Sequence, residues 1–189
     1  VVLKWIYTED GHQLIDFNRP FLSGASLRTY ADAFHQKGAA LNNYWGFIDD
    51  TVGPIYRPLQ NQRIVYNSHI RIHTLKSQSI VTPNGLLANL YGLIAEEGRR
   101  HDSGTLADSG VYELTRNSFD SAKHLLCLYG DPAYPPRVHL QAPFRNVVLT
   151  QQMEDFNSST SSVRSSVEWL FGDISNDFKY PYLKKNLKI

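Results

Sequence analysis

Cysteine is nearly absent: the 189-residue sequence holds one, Cys127, inside "HLLCLYG". A single thiol excludes an internal disulfide and fits a reducing compartment, where it reads as a buried strand residue. No apolar run approaches the length of a bilayer-spanning helix, which excludes a membrane span of that kind. The start, "VVLKWIYTEDG", lacks the basic, apolar and small-residue order of a signal peptide, so a soluble, intracellular protein is expected. An "NSS" triplet at Asn157 fits a glycosylation sequon, but nothing else points to secretion. Excess charge is missing too. A net charge of +1 with 20% charged residues excludes coating of nucleic acid by bulk charge, so any such contact must be local. There is no "GxSxG" elbow and no Cys/His pair of the kind covalent catalysis wants. No internal repeat is visible. The start at Val1 and the ending "KKNLKI" read as those of a fragment.

What is present is enough apolar residue, 42%, for a sizeable core. From Ser26, read as an N-cap, "SLRTYADAFHQKG" sets Leu27, Tyr30, Ala31 and Phe34 at helical spacing and closes with Lys37 and Gly38. Three strands follow, "YWGFID", "RIHTLKSQSIVT" and "LLANLYGLI", the last two joined through "PNG" as a hairpin. "AEEGRRHDSG" reads as a loop, residues 111–119 as a short helix, and "HLLCLYG" as a fourth strand. Strands in succession followed by one reached through a helix predict an α/β or mixed sheet with a crossover. The prolines of "DPAYPPRVHLQAPF" predict a loop, and "NSSTSS" a lead-in to the amphipathic helix of "SSVRSSVEWLFGDISNDF".

Three acids stand out. Asp49 ends "YWGFI", Asp131 ends "HLLCLYG", and Glu168 falls roughly 110° from the centre of the last helix's apolar stripe, at its border. If the first and fourth strands are neighbours, their carboxyl ends bring Asp49 and Asp131 together, where like charges favour a raised pKa or a divalent cation. Carboxylate oxygens without clustered Cys or His point to Mg²⁺ or Mn²⁺ rather than Zn²⁺. Acids at strand ends also serve as turn residues and caps, so both readings stay open. His69 and His73 would share a strand face at a separation too wide for one zinc ion.

The stretches "GFIDDTVGPIYRP", "QNQRIVYNSHIRIHTLKSQSIVTPNGLLANLYG", "GRRHDSG", "LYGDPAYP" and "SSVRSSVEWLFGDI" together resemble the nuclease of PIF/Harbinger transposases and the host proteins derived from them, a DDE superfamily endonuclease domain. The resemblance runs from about Tyr44 to the end of the chain. It implies a ribonuclease H-like mixed sheet flanked by helices, with residues 1–40 a short helical lead-in and 41–189 the nuclease domain. Carried over, the catalytic, metal-binding triad falls on Asp49, Asp131 and Glu168. Asp102 of "HDSG" is also in the family pattern, as an accessory carboxylate that adds to the metal-ligand candidates or as a helix cap. The implied chemistry is DNA cleavage by two-metal phosphoryl transfer with Mg²⁺ or Mn²⁺, in which the protein supplies no nucleophile. Basic residues lie in the same segments, and Arg63, Arg71, Lys76, Arg99, Arg100 and Arg164 are the expected phosphate contacts, with His69, His73 and Arg137 nearby. Tyr134 and Trp169, beside two of the acids, read as packing residues rather than base-stacking ones.

The sequence departs from the family pattern at Asp50, where glycine is usual, and at Ser68 and Ile70, where glycine and lysine are usual. Asp50 is expected to crowd the strand end or to offer a competing carboxylate. The resemblance also implies a separate DNA-binding partner, a homodimer for strand transfer at two ends and, from the DNA substrate, residence in the nucleus, with the cytoplasm as a further location. The rival reading is a catalytically inactive, domesticated or relic module that binds DNA or protein with the fold intact.

Overall fold

The computed structural model describes residues 8–9, 11–55, 57–68, 70–94, 102–119, 125–145 and 148–177. Helix α1 (Gly24–Gln36) is followed by strands β1 (Tyr44–Pro54), β2 (Tyr66–Asn67), β3 (Ile72–Val81) and β4 (Leu87–Ile94). Helices α2 (Asp102–Ser109) and α3 (Val111–Phe119) lead to β5 (Cys127–Tyr129), β6 (Leu140–Gln141) and helix α4 (Gln151–Asp177).

The strands form one mixed sheet in the order β2-β3-β1-β5-β6, with β4 also paired to β3. β3 is antiparallel to β1 and to β4, whereas β5 is parallel to β1 and β6 parallel to β5. An antiparallel hairpin beside β1 on one side and, on the other, parallel β5 reached through two helices and followed by β6 make the ribonuclease H-like arrangement that the resemblance implies.

β1 is the central strand, and its period carries a correction that decides the site. The parallel pairing to β5 slips between Tyr44 and Gly46. Tyr44 and Phe47 accordingly share one apolar cluster with Tyr129, Val163 and Phe34, whereas Trp45 and Ile48 share the other with Ile80, Leu128 and Tyr134. Beyond the slip the strict alternation of a strand resumes, so Asp49 follows Phe47 on the α4 side and Asp50 follows Ile48 on the opposite side.

α1 forms where its apolar spacing predicts, with Leu27, Tyr30, Ala31 and Phe34 buried. The cap is Ser23 rather than Ser26: its side chain accepts from the Ser26 N–H, satisfying one of the donors a helix start leaves open. Gly38 follows the helix with φ +106°, a left-handed closing residue that favours glycine. Phe34 meets Phe47 edge to face with ring centres 4.6 Å apart, so this helix shares the core of the sheet. The exposed side of β4 is covered by the chain before α1. Arg19 donates to the carbonyls of Leu87 and Ala88, and Asn89 donates to the Ile15 carbonyl at 3.4 Å.

Three further elements differ from the sequence reading. α2 begins at Asp102, inside the stretch read as a loop. The proline-rich segment after β5 contains β6, whose two residues pair with Leu128 and Tyr129. α4 starts at Gln151 and takes in "NSSTSS", because tertiary contacts outweigh poor helix propensity there. Phe156 packs on Tyr129 and Phe144, and the buried Thr160 accepts from the Ala40 N–H.

Candidate active site

Parallel pairing places Phe47 opposite Tyr129. Asp49 lies two residues further along β1, on the side that the alternation gives to Phe47, whereas Asp131 lies two residues past Tyr129, in the turn that follows β5. The sequence expectation that Asp49 ends its strand is corrected: β1 runs on to Pro54, paired with β3, so Asp49 is mid-strand, level with the turn after the carboxyl end of β5 that holds Asp131. α4 supplies the third wall. Arg164 on this helix ion-pairs with Asp49, Nη2 to Oδ2 at 3.5 Å, and the two side chains are 18% and 22% exposed. Position 168 lies four residues on, one helical turn along the same face of α4. The side chains of Glu168, Trp169 and Asp102 lie outside the described residues; the backbone of Asp102 opens α2.

Asp131 also does the local work of a turn residue. Its Oδ1 accepts from the Ala133 N–H at 2.8 Å, and its carbonyl accepts from the Tyr134 N–H at 3.2 Å. This Asx turn anchors one carboxylate oxygen and fixes the direction of the other. The turn reading and the ligand reading are therefore compatible. Asp49 and Asp131 offer only oxygen donors, the set that suits a hard divalent cation. By donor chemistry the pair suits such an ion, although Asp49 is engaged by Arg164. Among the described residues no group of three or more His, Cys, Asp or Glu is placed to hold an ion.

Asp50 neither crowds the strand end nor competes with Asp49, since it points to the other face. Its side chain is 3% exposed and ion-pairs with Lys76, Nζ to Oδ2 at 2.9 Å. The Tyr134 hydroxyl donates to Asp50 Oδ1 at 2.5 Å, and Gln78 Nε2 donates to the same oxygen at 3.3 Å. Gln78 sits directly across the antiparallel ladder from Asp50, and Lys76 one pleat further along the same face. Tyr134 reaches this oxygen because residue 130 is glycine: a Cβ there would stand 2.7 Å from Tyr134 Cδ2 and 3.1 Å from Ile48 Cγ2. The sequence reading of Tyr134 as a packing residue holds, since it is fully buried, but it missed this network. The available signal was an acid at the end of the apolar run that the pleat turns inward.

The expected phosphate contacts separate into groups. Arg63 and Arg71 are exposed, Arg71 in the turn before β3 with φ 56°. Lys76 is 12% exposed and engaged with Asp50, and Arg164 is engaged with Asp49. Arg99, Arg100 and His69 lie outside the described residues. His73 packs edge to face on Tyr66 with ring centres 5.4 Å apart. Arg137 stacks over Tyr112 at 4.8 Å.

A mixed sheet of this order, flanked by helices, is consistent with a ribonuclease H-like nuclease fold. The chain belongs to the DDE superfamily endonucleases, whose family pattern it matches over residues 48–189. No match to a curated protein or to a solved structure was found. The family is one of nucleases and generally uses divalent metals, and a nuclease domain implies DNA as substrate. Among the described residues no helix is long and apolar enough to cross a membrane.

Proposed function

We propose that the chain is a divalent-metal-dependent DNA endonuclease of PIF/Harbinger transposase descent, with Asp49, Asp131 and Glu168 as its carboxylate triad. The observation that carries this reading is the parallel register of β1 and β5. It pairs Phe47 with Tyr129, and Asp49 and Asp131 each follow two residues later in the chain, Asp49 mid-strand beside Arg164 of α4 and Asp131 in the turn after β5.

Asp49, Asp131 and Glu168 would hold Mg²⁺ or Mn²⁺, which when bound supplies nucleophile activation and charge neutralisation at the scissile phosphate. The Ala133 N–H holds Asp131 in orientation. Arg164 keeps a cation beside Asp49, and the exposed Arg63 and Arg71 are available to phosphates at the surface. A separate DNA-binding partner, a homodimer and work in the nucleus belong to the same proposal.

One observation favours the rival, inactive module: Asp49 has a protein cation, Arg164, as its partner, so its charge is already balanced. Nicking of supercoiled DNA separates the two readings. The proposal expects Mg²⁺- or Mn²⁺-dependent nicking that falls at least a hundredfold in Asp49→Asn, Asp131→Asn and Glu168→Gln. Equal nicking by the parent and Asp131→Asn, or metal-independent DNA binding without nicking, would overturn it.

A further inference from the structure

We infer that Asp50, through Tyr134, is a positioning residue that fixes the Asp131 turn to β1 and so sets the second carboxylate against the first. The inference rests on the metal-site reading above.

Two acids adjacent in sequence are sent to opposite faces of β1. Asp49 faces α4 and Arg164, whereas Asp50 is enclosed among Lys76, Gln78 and Tyr134. The pairing of β5 with β1 ends at Tyr129 opposite Phe47, so the ladder no longer holds the chain where Asp131 stands. Past that point the described link from the turn to β1 is the ring of Tyr134. It lies against Gly130, in the apolar cluster that also holds Ile48, and ends on Asp50 Oδ1. The same turn is closed by two bonds to Asp131, from the Ala133 and Tyr134 N–H groups. Asp131 and Tyr134 are thus the two ends of one four-residue turn: one carries the carboxylate, and the other is bonded to the neighbour of Asp49.

A hydrogen bond from tyrosine to a buried carboxylate is directional and strong, and Lys76 and Gln78 hold the acceptor in place. Partners of this kind beyond the ligands commonly change metal affinity by about 10–100-fold when removed.

The test uses Tyr134→Phe, which keeps the ring and removes the hydroxyl, and leaves Asp50 its bonds to Lys76 and Gln78. Asp50→Asn serves as the conservative variant, since its amide oxygen still accepts from Tyr134. Amide hydrogen exchange is read at residues 133 and 134 and across β1 and β3, and Mn²⁺ is titrated calorimetrically into each protein. In Tyr134→Phe the turn amides should exchange at least tenfold faster while those of β1 and β3 keep their protection. Mn²⁺ affinity should fall about 10–100-fold. Asp50→Asn should retain the turn's protection. Unchanged exchange at 133 and 134, or Mn²⁺ affinity within twofold of a binding parent, overturns the inference. If the folded parent takes up no Mn²⁺, the metal-site reading fails by itself, and the inference as stated, which needs two metal-binding carboxylates, falls with it; the exchange result then shows only whether the Tyr134 tether exists.

Discussion

Removing Lys76 tests how β1 tolerates two successive acids. In Lys76→Met the Asp50 carboxylate, 3% exposed, loses the ammonium 2.9 Å away but keeps the Tyr134 hydroxyl and the Gln78 amide. Removing one member of a buried ion pair typically costs about 3–5 kcal/mol, because the remaining charge is left uncompensated in a medium that solvates it poorly. Two surviving donors place the expected loss at the lower end, about 3 kcal/mol. For a domain of this size that is a fall in Tm of about 6–12 °C. Pairing the change with Asp50→Asn removes the stranded charge while keeping an acceptor for Tyr134, so the double variant should recover at least half of the loss. Urea unfolding followed by circular dichroism gives the free energies, provided the slope with urea is unchanged. A single variant within about 1 kcal/mol of the parent, or losses that simply add in the double variant, would refute the reasoning.

Three further expectations follow from the packing. Gly130→Ala drives a methyl to within 2.7 Å of the Tyr134 ring and should cost about 1–3 kcal/mol, whereas Gly53→Ala, whose Cβ meets nothing nearer than 3.8 Å, should cost far less; equal losses in denaturant unfolding would contradict this. Phe34→Ala removes a ring 1% exposed from the contact with Phe47 and should destabilise the whole domain by about 3–5 kcal/mol in a single transition; a loss below 1 kcal/mol would mean that α1 is not part of this core. Burial pushes the Cys127 thiol up to about 11 from 9.0 and also raises Tyr44 and Tyr129. The unfolded chain therefore loses these protons first, and stability is fully present below about pH 9 and declines as pH rises through 11. Cys127→Ala should shallow that decline, and the native thiol should resist aromatic disulfide reagents at pH 8 until denaturant is added; rapid native labelling would contradict the burial.

The sequence carried the sheet's outline because β1, β3 and β4 are apolar, β-rich runs cut by breakers. It carried α1 through the spacing of Leu27, Tyr30, Ala31 and Phe34. What it did not carry depends on contacts between distant segments. The slip near Gly46 changes which residues of β1 share a face, and only the pairing with β5 reveals it. β6 is two residues long between prolines, too short for any periodic signal. The serines and Asn157 of early α4 are poor helix formers, and Phe156 and Thr160 become comprehensible only when Tyr129, Phe144 and Ala40 are beside them. Asp50 is the clearest instance. A carboxylate next to a candidate ligand reads as a rival for the metal, and only the fold turns it inward to Tyr134, Gln78 and Lys76.

The central claim is that Asp49 and Asp131 belong to one cation site. Calorimetric titration of Mn²⁺ into the parent and into Asp131→Asn at moderate salt tests it most directly. The account predicts binding by the parent that the variant loses, with both proteins folded. Binding unchanged in Asp131→Asn, or a folded parent that binds no Mn²⁺, would contradict it.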